Sequence, residues 1–308
     1  MVARDRWGLI LAGGEGVRLR PLTRAIAGDE RPKQFCAVLG RETLLEQTRR
    51  RTAYAIPAAR TLVVLTSRHE HFYRPLVASM PPHCSVIQPD DRGTAAAILY
   101  GLLRIATIAP LASVAIVPSD HFVSDDVAFM AHVITAFDAV RARPDLLVLL
   151  GVEADSAETE YGWIEPAESV PGTSLLRVRR FVEKPVSAAA QLLLERGCLW
   201  NSFVMIGRIP TFLSLIRHAA PELHAAFSAV RPTLGTPAER TAVRALYADL
   251  APASFSDRML ATGSPNLAVL PVRAVQWSDC GAPQRVMNTV ARLALSPDWL
   301  GRLSPRSA

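Results

Sequence analysis

Residues 7–23, Trp7-Gly-Leu-Ile-Leu-Ala-Gly-Gly-Glu-Gly-Val-Arg-Leu-Arg-Pro-Leu-Thr23, decide how this chain folds. The apolar run over 7–12 has the length of a buried strand, and it breaks directly into glycine. Gly13, Gly14 and Gly16 let backbone N–H groups close around phosphate oxygens without side-chain obstruction. Two familiar glycine patterns fail here. A dinucleotide fingerprint begun at Gly14 needs glycine at position 19, which is Leu19. A P-loop needs Gly-Lys-Ser/Thr, and the loop carries Arg18 but no lysine.

Outward from this loop, strand-like runs alternate with helical stretches. The pattern predicts strands at 61–66, 85–88, 113–118 and 146–152, with helices near 42–54, 70–80, 94–108 and 127–141. Such alternation predicts an α/β fold, a Rossmann-like and mostly parallel sheet flanked by helices. Ligands of such sheets bind at the carboxyl ends of strands, where both Gly13-Gly14 and Ser119-Asp120 fall. The second half predicts a strand pair at 161–166 and 176–182, inserted after the parallel core. A helix follows Pro185, with Ser187 as N-cap and Gly197 as its stop. A strand at 199–206, a helical region at 210–262, a strand at 266–272 and a last helix to about 295 complete the reading. The final dozen residues are expected to be loosely held.

The chain has 308 residues, 50% of them hydrophobic and 20% charged, the balance of an ordinary globular protein. Its apolar runs are too short to span a bilayer, and the N-terminus lacks the apolar stretch and cleavage site of a signal peptide. Four scattered cysteines, Cys36, Cys84, Cys198 and Cys280, suggest neither a zinc site nor a disulfide framework. The expectation is a cytoplasmic protein with no membrane partner. A net charge of +6 admits nucleic acid, but no basic stripe is interleaved with aromatics, so small anionic substrates fit better. Only Lys33 and Lys184 are lysines, against thirty-two arginines. In a chain so biased, a retained lysine suggests a place that wants a compact ammonium, the alternative being that two lysines simply survived the bias.

Residues 11–23 together with Arg31-Pro-Lys-Gln-Phe35 resemble the signature of the sugar-1-phosphate nucleotidylyltransferases. Pro-Lys-Gln-Phe points to the mannose-1-phosphate guanylyltransferase branch. The resemblance runs on in order through Val117-Pro-Ser-Asp-His121, Tyr161-Gly-Trp-Ile-Glu165, Phe181-Val-Glu-Lys-Pro185, Trp200-Asn-Ser202 and Trp277-Ser-Asp-Cys-Gly281. It covers about residues 7–290, and both lysines fall inside it. It implies the nucleotide-diphospho-sugar transferase type of fold. Residues 1–295 would be one catalytic domain, with a nucleotide-binding half to about 152, a sugar-phosphate half to 295 and a loose tail at 296–308. Neither a β-helix nor an isomerase domain is expected after it.

The implied reaction is in-line attack of a sugar phosphate on the α-phosphorus of a nucleoside triphosphate. Positioning and cationic neutralisation then do most of the catalysis. By resemblance, Arg18 and Lys33 hold the triphosphate with Gly13, Gly14 and Gly16, while Gly93, Thr94 and Ala95 line the base pocket. Asp120 and Asp279 would hold Mg²⁺, a hard ion that keeps several waters. The rival role for either aspartate is a helix N-cap. Lys184 would contact the sugar phosphate and Glu183 the sugar hydroxyls, with the backbone at Gly162, Glu165 and Asn201 completing sugar recognition. For Asn201 a turn role competes, and for Trp163, Trp200 and Trp277 core packing is the default.

The match departs at Asp91-Arg-Gly-Thr-Ala-Ala96, where the guanylyltransferases read Gly-Arg-Asn-Thr-Ala-Pro, and at Val17, where threonine is common. Residues 27–30 resemble an insertion. The expected substrates are GTP and mannose 1-phosphate, giving GDP-mannose and pyrophosphate, and a homodimer is compatible with them. Glucose 1-phosphate with UTP or dTTP is the alternative pair. A non-catalytic nucleotide-sugar sensor or regulatory subunit is the alternative class.

Overall fold

The structure, a computed structural model, describes residues 5–303. Eleven strands are found among them: β1 (Arg6–Leu11), β2 (Thr61–Thr66), β3 (Ser85–Gln88), β4 (Ser113–Pro118), β5 (Phe122–Val123), β6 (Leu147–Glu153), β7 (Gly162–Ser169), β8 (Leu176–Glu183), β9 (Leu199–Arg208), β10 (Leu267–Val272) and β11 (Trp277–Ser278). Nine form one sheet in the order β3-β2-β1-β4-β9-β6-β10-β8-β7, and β5 pairs with β11 apart from it.

The first half is parallel as predicted: β1 lies between β2 and β4, and β2 pairs with β3. Strands β1, β2 and β4 read as near-continuous apolar runs because both faces are covered, whereas the edge strand β3 leaves Ile87 exposed. On β4, Val114 and Ile116 pack with helix Gly93–Ala106, whereas Ala115 and Val117 pack with helix Asp126–Ala142. The second half makes the sheet mixed. Strand β9 enters between β4 and β6, antiparallel to both. Its N-terminal end also pairs with β7, so β9, β6, β10, β8 and β7 close into a ring. The inserted strand pair is therefore part of the main sheet, because its inner face has apolar strands to bury against.

Smaller differences have local causes. Helix Ser187–Glu195 is capped by Val186 without a side-chain bond, so Ser187 is its first residue rather than its N-cap; Gly197 takes the left-handed conformation expected of a stop. The region 210–262 breaks into separate helices, Ile209–Ala219, Pro221–Val230, Glu239–Asp249 and Phe255–Arg258. The tail is held beyond residue 296: Trp299 is buried and its indole N–H donates to the Val38 carbonyl at 2.9 Å. A tryptophan buries enough apolar surface to order a short segment. Residues 304–308 of that tail lie outside the described residues. No described helix is long and apolar enough to cross a membrane.

Candidate active site

Strands β1 and β4 are neighbours in register, Leu11 opposite Pro118, so the glycine loop and Ser119-Asp120 leave the sheet side by side. The Ser119 N–H donates to the Leu11 carbonyl at 3.2 Å. The loop is braced from beneath. Buried Gln34 donates its amide to the carbonyls of Ala12 and Gly14, at 3.1 and 2.8 Å. The Thr66 hydroxyl donates to the Gly13 carbonyl at 3.0 Å. Glycine is needed at 13 and 16 for different reasons. A Cβ on Gly13 would stand 2.7 Å from Thr66 Oγ1, and Gly16 has φ +58°.

Two long-range contacts bring the aspartates together. The ladder of β5 with β11 sets Ser278 opposite Phe122, which carries Asp279 to the end of β4 where Asp120 waits. Lys33, only 9% exposed, joins them: its Nζ donates to the Asp279 carbonyl at 2.6 Å and lies 3.2 Å from Asp120 Oδ2. The first predicted lysine thus stands between the two predicted carboxylate residues. Neither aspartate caps a helix, since Ala282 precedes helix Pro283–Arg292 and Asp125 caps helix Asp126–Ala142.

Asp279 Oδ1 accepts from the Gly281 N–H at 2.8 Å, from Arg285 Nη1 at 2.7 Å and from the Tyr161 hydroxyl at 3.2 Å. Burial alone would raise its pKa, but Lys33, Arg285 and His121 outweigh burial and hold it below the ordinary carboxylate value. A side chain on Gly281 would bring its Cβ to 2.3 Å from Asp279 Oδ2. His121, edge-on to Trp277 at 5.1 Å, is pushed down to about 4, chiefly by burial, and is neutral at neutral pH. Burial pushes the Cys280 thiol up to about 12, so it is no nucleophile.

The sugar-side residues meet one strand away. Gly162 is opposite Glu183, and the Trp163–Trp200 pairing sets Asn201 beside Gly162. Buried Asn201 does form a turn, its Oδ1 accepting from the Phe203 N–H at 3.1 Å. Burial raises the Glu183 pKa against the opposing charge of Lys184. Lys184 Nζ is 3.8 Å from Glu183 Oε1, and its side chain is 57% exposed, so the ammonium is free to reach a ligand. Tyr161 ties this group to Asp279, because its carbonyl accepts from the Lys184 N–H at 3.2 Å. Three non-glycine residues next to named site groups have positive φ: Lys184 at +41°, Phe203 at +59° and Cys280 at +48°. Backbone strain of this kind persists where surrounding structure over-determines it, as at functional sites.

Other predicted residues stand apart. Arg18 is half-exposed and ion-paired with Glu160. The Glu165 side chain lies among Arg180, Arg179 and Arg196, at 3.0, 3.7 and 3.9 Å, and not with Glu183. Gly93, Thr94 and Ala95 begin a helix bolted to residues 253–255. Ala95 N–H donates to the Ala253 carbonyl, and Thr94 Oγ1 accepts from the Phe255 N–H. Gly93 has φ +81°, and a Cβ there would stand 2.4 Å from the Ala253 oxygen. Glu160, Gln34, Tyr161 and Arg285 were not legible as site residues. Gln34 and Tyr161 fall inside quoted motifs without a role, and Arg285 is one arginine among many.

The nucleotidyl transferase family matches residues 7–294. Xanthan biosynthesis protein XanB of Xanthomonas campestris pv. campestris (strain B100) is 33% identical over 220 residues, covering 70% of this chain and 44% of that protein. A mannose-1-phosphate guanylyltransferase of Sinorhizobium fredii is 32% identical over 289 residues, covering 89% of this chain and 52% of that protein. The chain thus spans about half the length of the curated relatives it matches. A crystal structure titled mannose-1-phosphate geranyltransferase, from Thermus thermophilus, superposes with a TM-score of 0.77 at 30% identity, covering 90% of this chain and 76% of that one. A UDP-glucose pyrophosphorylase bound to UDP-glucose, 13% identical with a TM-score of 0.55, shares the fold. The family match over residues 7–294, nearly the whole chain, places this protein in the nucleotidyl transferase family.

Proposed function

We propose that the protein transfers a guanylyl group from GTP to mannose 1-phosphate, giving GDP-mannose and pyrophosphate. The observation that carries the reading is Lys33 Nζ, enclosed beside the glycine loop and held between Asp120 and the Asp279 carbonyl. A compact, preorganised ammonium at this point meets the charge that develops as pyrophosphate leaves. The braced loop of Gly13, Gly14 and Gly16 orients the triphosphate through its N–H groups, and Arg18 swings from Glu160 onto it. Lys184 draws in the sugar phosphate, and Glu183 with Asn201 and the backbone near Gly162 and Glu165 holds the sugar hydroxyls. Gly93, Thr94 and Ala95 sit at the β3 end of the cleft, where a base is to be seated. The attacking phosphate oxygen is already ionised at neutral pH, so no general base is required.

Among the described residues no cluster of three or more His, Cys, Asp or Glu side chains forms a closed cage. A pair of aspartates completed by substrate phosphates is instead the donor set that Mg²⁺ takes. Asp120 and Asp279 would hold it, and when bound it would polarise phosphoryl oxygens and neutralise their charge. We further propose that residues 1–295 act as one catalytic domain of a cytoplasmic protein, which a homodimer would suit.

The test is pyrophosphate release across the four NTPs and dTTP against mannose and glucose 1-phosphates with Mg²⁺. Release confined to GTP with mannose 1-phosphate is the expected result. Release with glucose 1-phosphate and UTP or dTTP moves the specificity. Silence from folded protein that still binds nucleotide makes it a sensor.

A further inference from the structure

We propose that Arg285 is a positioning residue that makes the metal site selective. By holding Asp279 Oδ1 it leaves this carboxylate a single oxygen for a cation, which suits Mg²⁺ and disfavours Ca²⁺. This role rests on the reading above that Asp120 and Asp279 hold the metal, whereas the oxygen that Asp279 can offer follows from the hydrogen bonds alone.

The two oxygens of Asp279 are treated unequally. Oδ1 accepts from Arg285 Nη1 at 2.7 Å, from the Gly281 N–H at 2.8 Å and from the Tyr161 hydroxyl at 3.2 Å. A carboxylate oxygen has about two lone-pair directions, so three donors saturate it. Every hydrogen bond and ion pair that the described residues make to this carboxylate falls on Oδ1. Oδ2 nevertheless reaches solvent, since it is not among the enclosed side-chain atoms that lack a partner. A Cβ at position 281 would stand 2.3 Å from it, so glycine there keeps this oxygen uncovered.

Arg285 is fixed in its turn. Its side chain is 14% exposed, with the guanidinium carbon 4.6 Å from the centre of the Tyr161 ring and Nη2 3.9 Å from Glu158. A cation stacked on an aromatic face and bonded at one edge has little freedom to move. It stands in the first turn of helix Pro283–Arg292, where a positive charge opposes the helix dipole. Its placement is therefore set by Asp279 and Tyr161 and not by the helix.

Metal preference follows from the oxygens on offer. Mg²⁺ demands near-ideal octahedral geometry, which the narrow bite of a two-oxygen carboxylate violates. Ca²⁺ is flexible in coordination and readily takes both oxygens. With Oδ1 occupied, Asp279 serves the first ion fully and the second poorly.

The experiment measures, by calorimetry on the full chain, the Kd of the nucleoside triphosphate that the pyrophosphate assay selects, GTP on the present reading. Titrations are run in saturating Mg²⁺, in saturating Ca²⁺ and in EDTA, without sugar phosphate, so that nothing turns over. In the wild type the Kd in Ca²⁺ is expected to exceed that in Mg²⁺ by about tenfold or more. Arg285→Met keeps the stem over the Tyr161 ring and frees Oδ1. The ratio then falls about tenfold, the low end for removing a group that orients a metal-binding side chain. Both ions carry the same charge, so the lost guanidinium charge cancels in the ratio, and so does a general loosening of the fold. Tyr161→Phe, which removes only the longest of the three bonds, lowers the ratio less, and Arg285→Lys, which keeps a cationic donor, restores most of it. Circular dichroism establishes which variants fold, and Tyr161→Phe decides alone should Arg285→Met not. A ratio near one in the wild type, or one unchanged in the folded variants, overturns the role of Arg285 and leaves the metal pair standing. Nucleotide bound no more tightly with either ion than in EDTA overturns the metal pair, and this role with it.

Discussion

Replacing Lys33 by methionine keeps a straight apolar stem and removes one charge. The ammonium it deletes is 11% exposed as a side chain, 3.2 Å from Asp120 Oδ2 and 2.6 Å from the Asp279 carbonyl. Breaking a buried pair from one side costs about 3–5 kcal/mol, and Asp120, 24% exposed, keeps enough water to hold the loss near the lower figure. At ~3 kcal/mol the melting temperature falls by about 5–10 °C, well short of unfolding at room temperature. Catalysis suffers more in proportion. Removing one preorganised donor from developing transition-state charge costs about 10²–10³ in rate, or ~2.7–4 kcal/mol. The assay is pyrophosphate release by the folded variant at 25 °C, with kcat and KM separated. A fall in kcat of at least 10² is expected, roughly the low end for one such donor. Lys33→Arg is not expected to rescue it, because the buried ammonium is already in contact with the Asp279 carbonyl and Asp120, and a planar guanidinium does not reproduce that compact point charge. A folded Lys33→Met enzyme within about tenfold of wild type in kcat, less than any such donor is worth, refutes the reasoning.

Lys184→Ala raises KM for the sugar phosphate more than tenfold, on the order of one lost charge-assisted contact, and leaves KM for the triphosphate nearly unchanged; equal effects on both would remove Lys184 from the sugar site. Asp279→Asn lowers Mg²⁺-dependent turnover by about 10² and leaves circular dichroism intact, since an amide oxygen still accepts from Gly281, Arg285 and Tyr161; an unfolded variant makes the residue structural. Glu160→Gln releases Arg18 and lowers KM for the triphosphate about twofold with no change in melting temperature, as an exposed pair contributes little; a raised KM would mean that Glu160 positions Arg18 instead. His121 gives a pH signature. Its folded pKa is depressed to about 4 from 6.5, so its contribution is complete above 6.5 and is lost as pH falls toward 4, on the order of 3 kcal/mol in all. Thermal melts of His121→Asn should flatten over that window, and a slope equal to wild type counts against the enclosed neutral imidazole.

Much of this protein was written locally. The alternation of apolar runs with helical segments gave the parallel half because strands β1, β2 and β4 bury both faces and announce it in composition. The glycine loop was legible because a tight turn and an open backbone leave glycine few substitutes, and Lys33 stood out because a compact ammonium is rare in this chain. What the sequence could not order was partnership. That β9 enters between β4 and β6 depends on competition among apolar strands for neighbours, which no single strand encodes. Asp120 and Asp279 are far apart in the chain, and only the short β5–β11 ladder brings them to one ammonium. Tyr161, Arg285 and Glu160 carry no local signal, because an ordinary residue acquires a role from what stands opposite it. Glu165 shows the same point: its motif was legible and named its backbone, and only the hairpin shows its side chain set among three arginines. Local sequence determines conformation and chemical type through short-range sterics and burial. Which charged groups face one another is decided by packing, since that is where distance and dielectric are set.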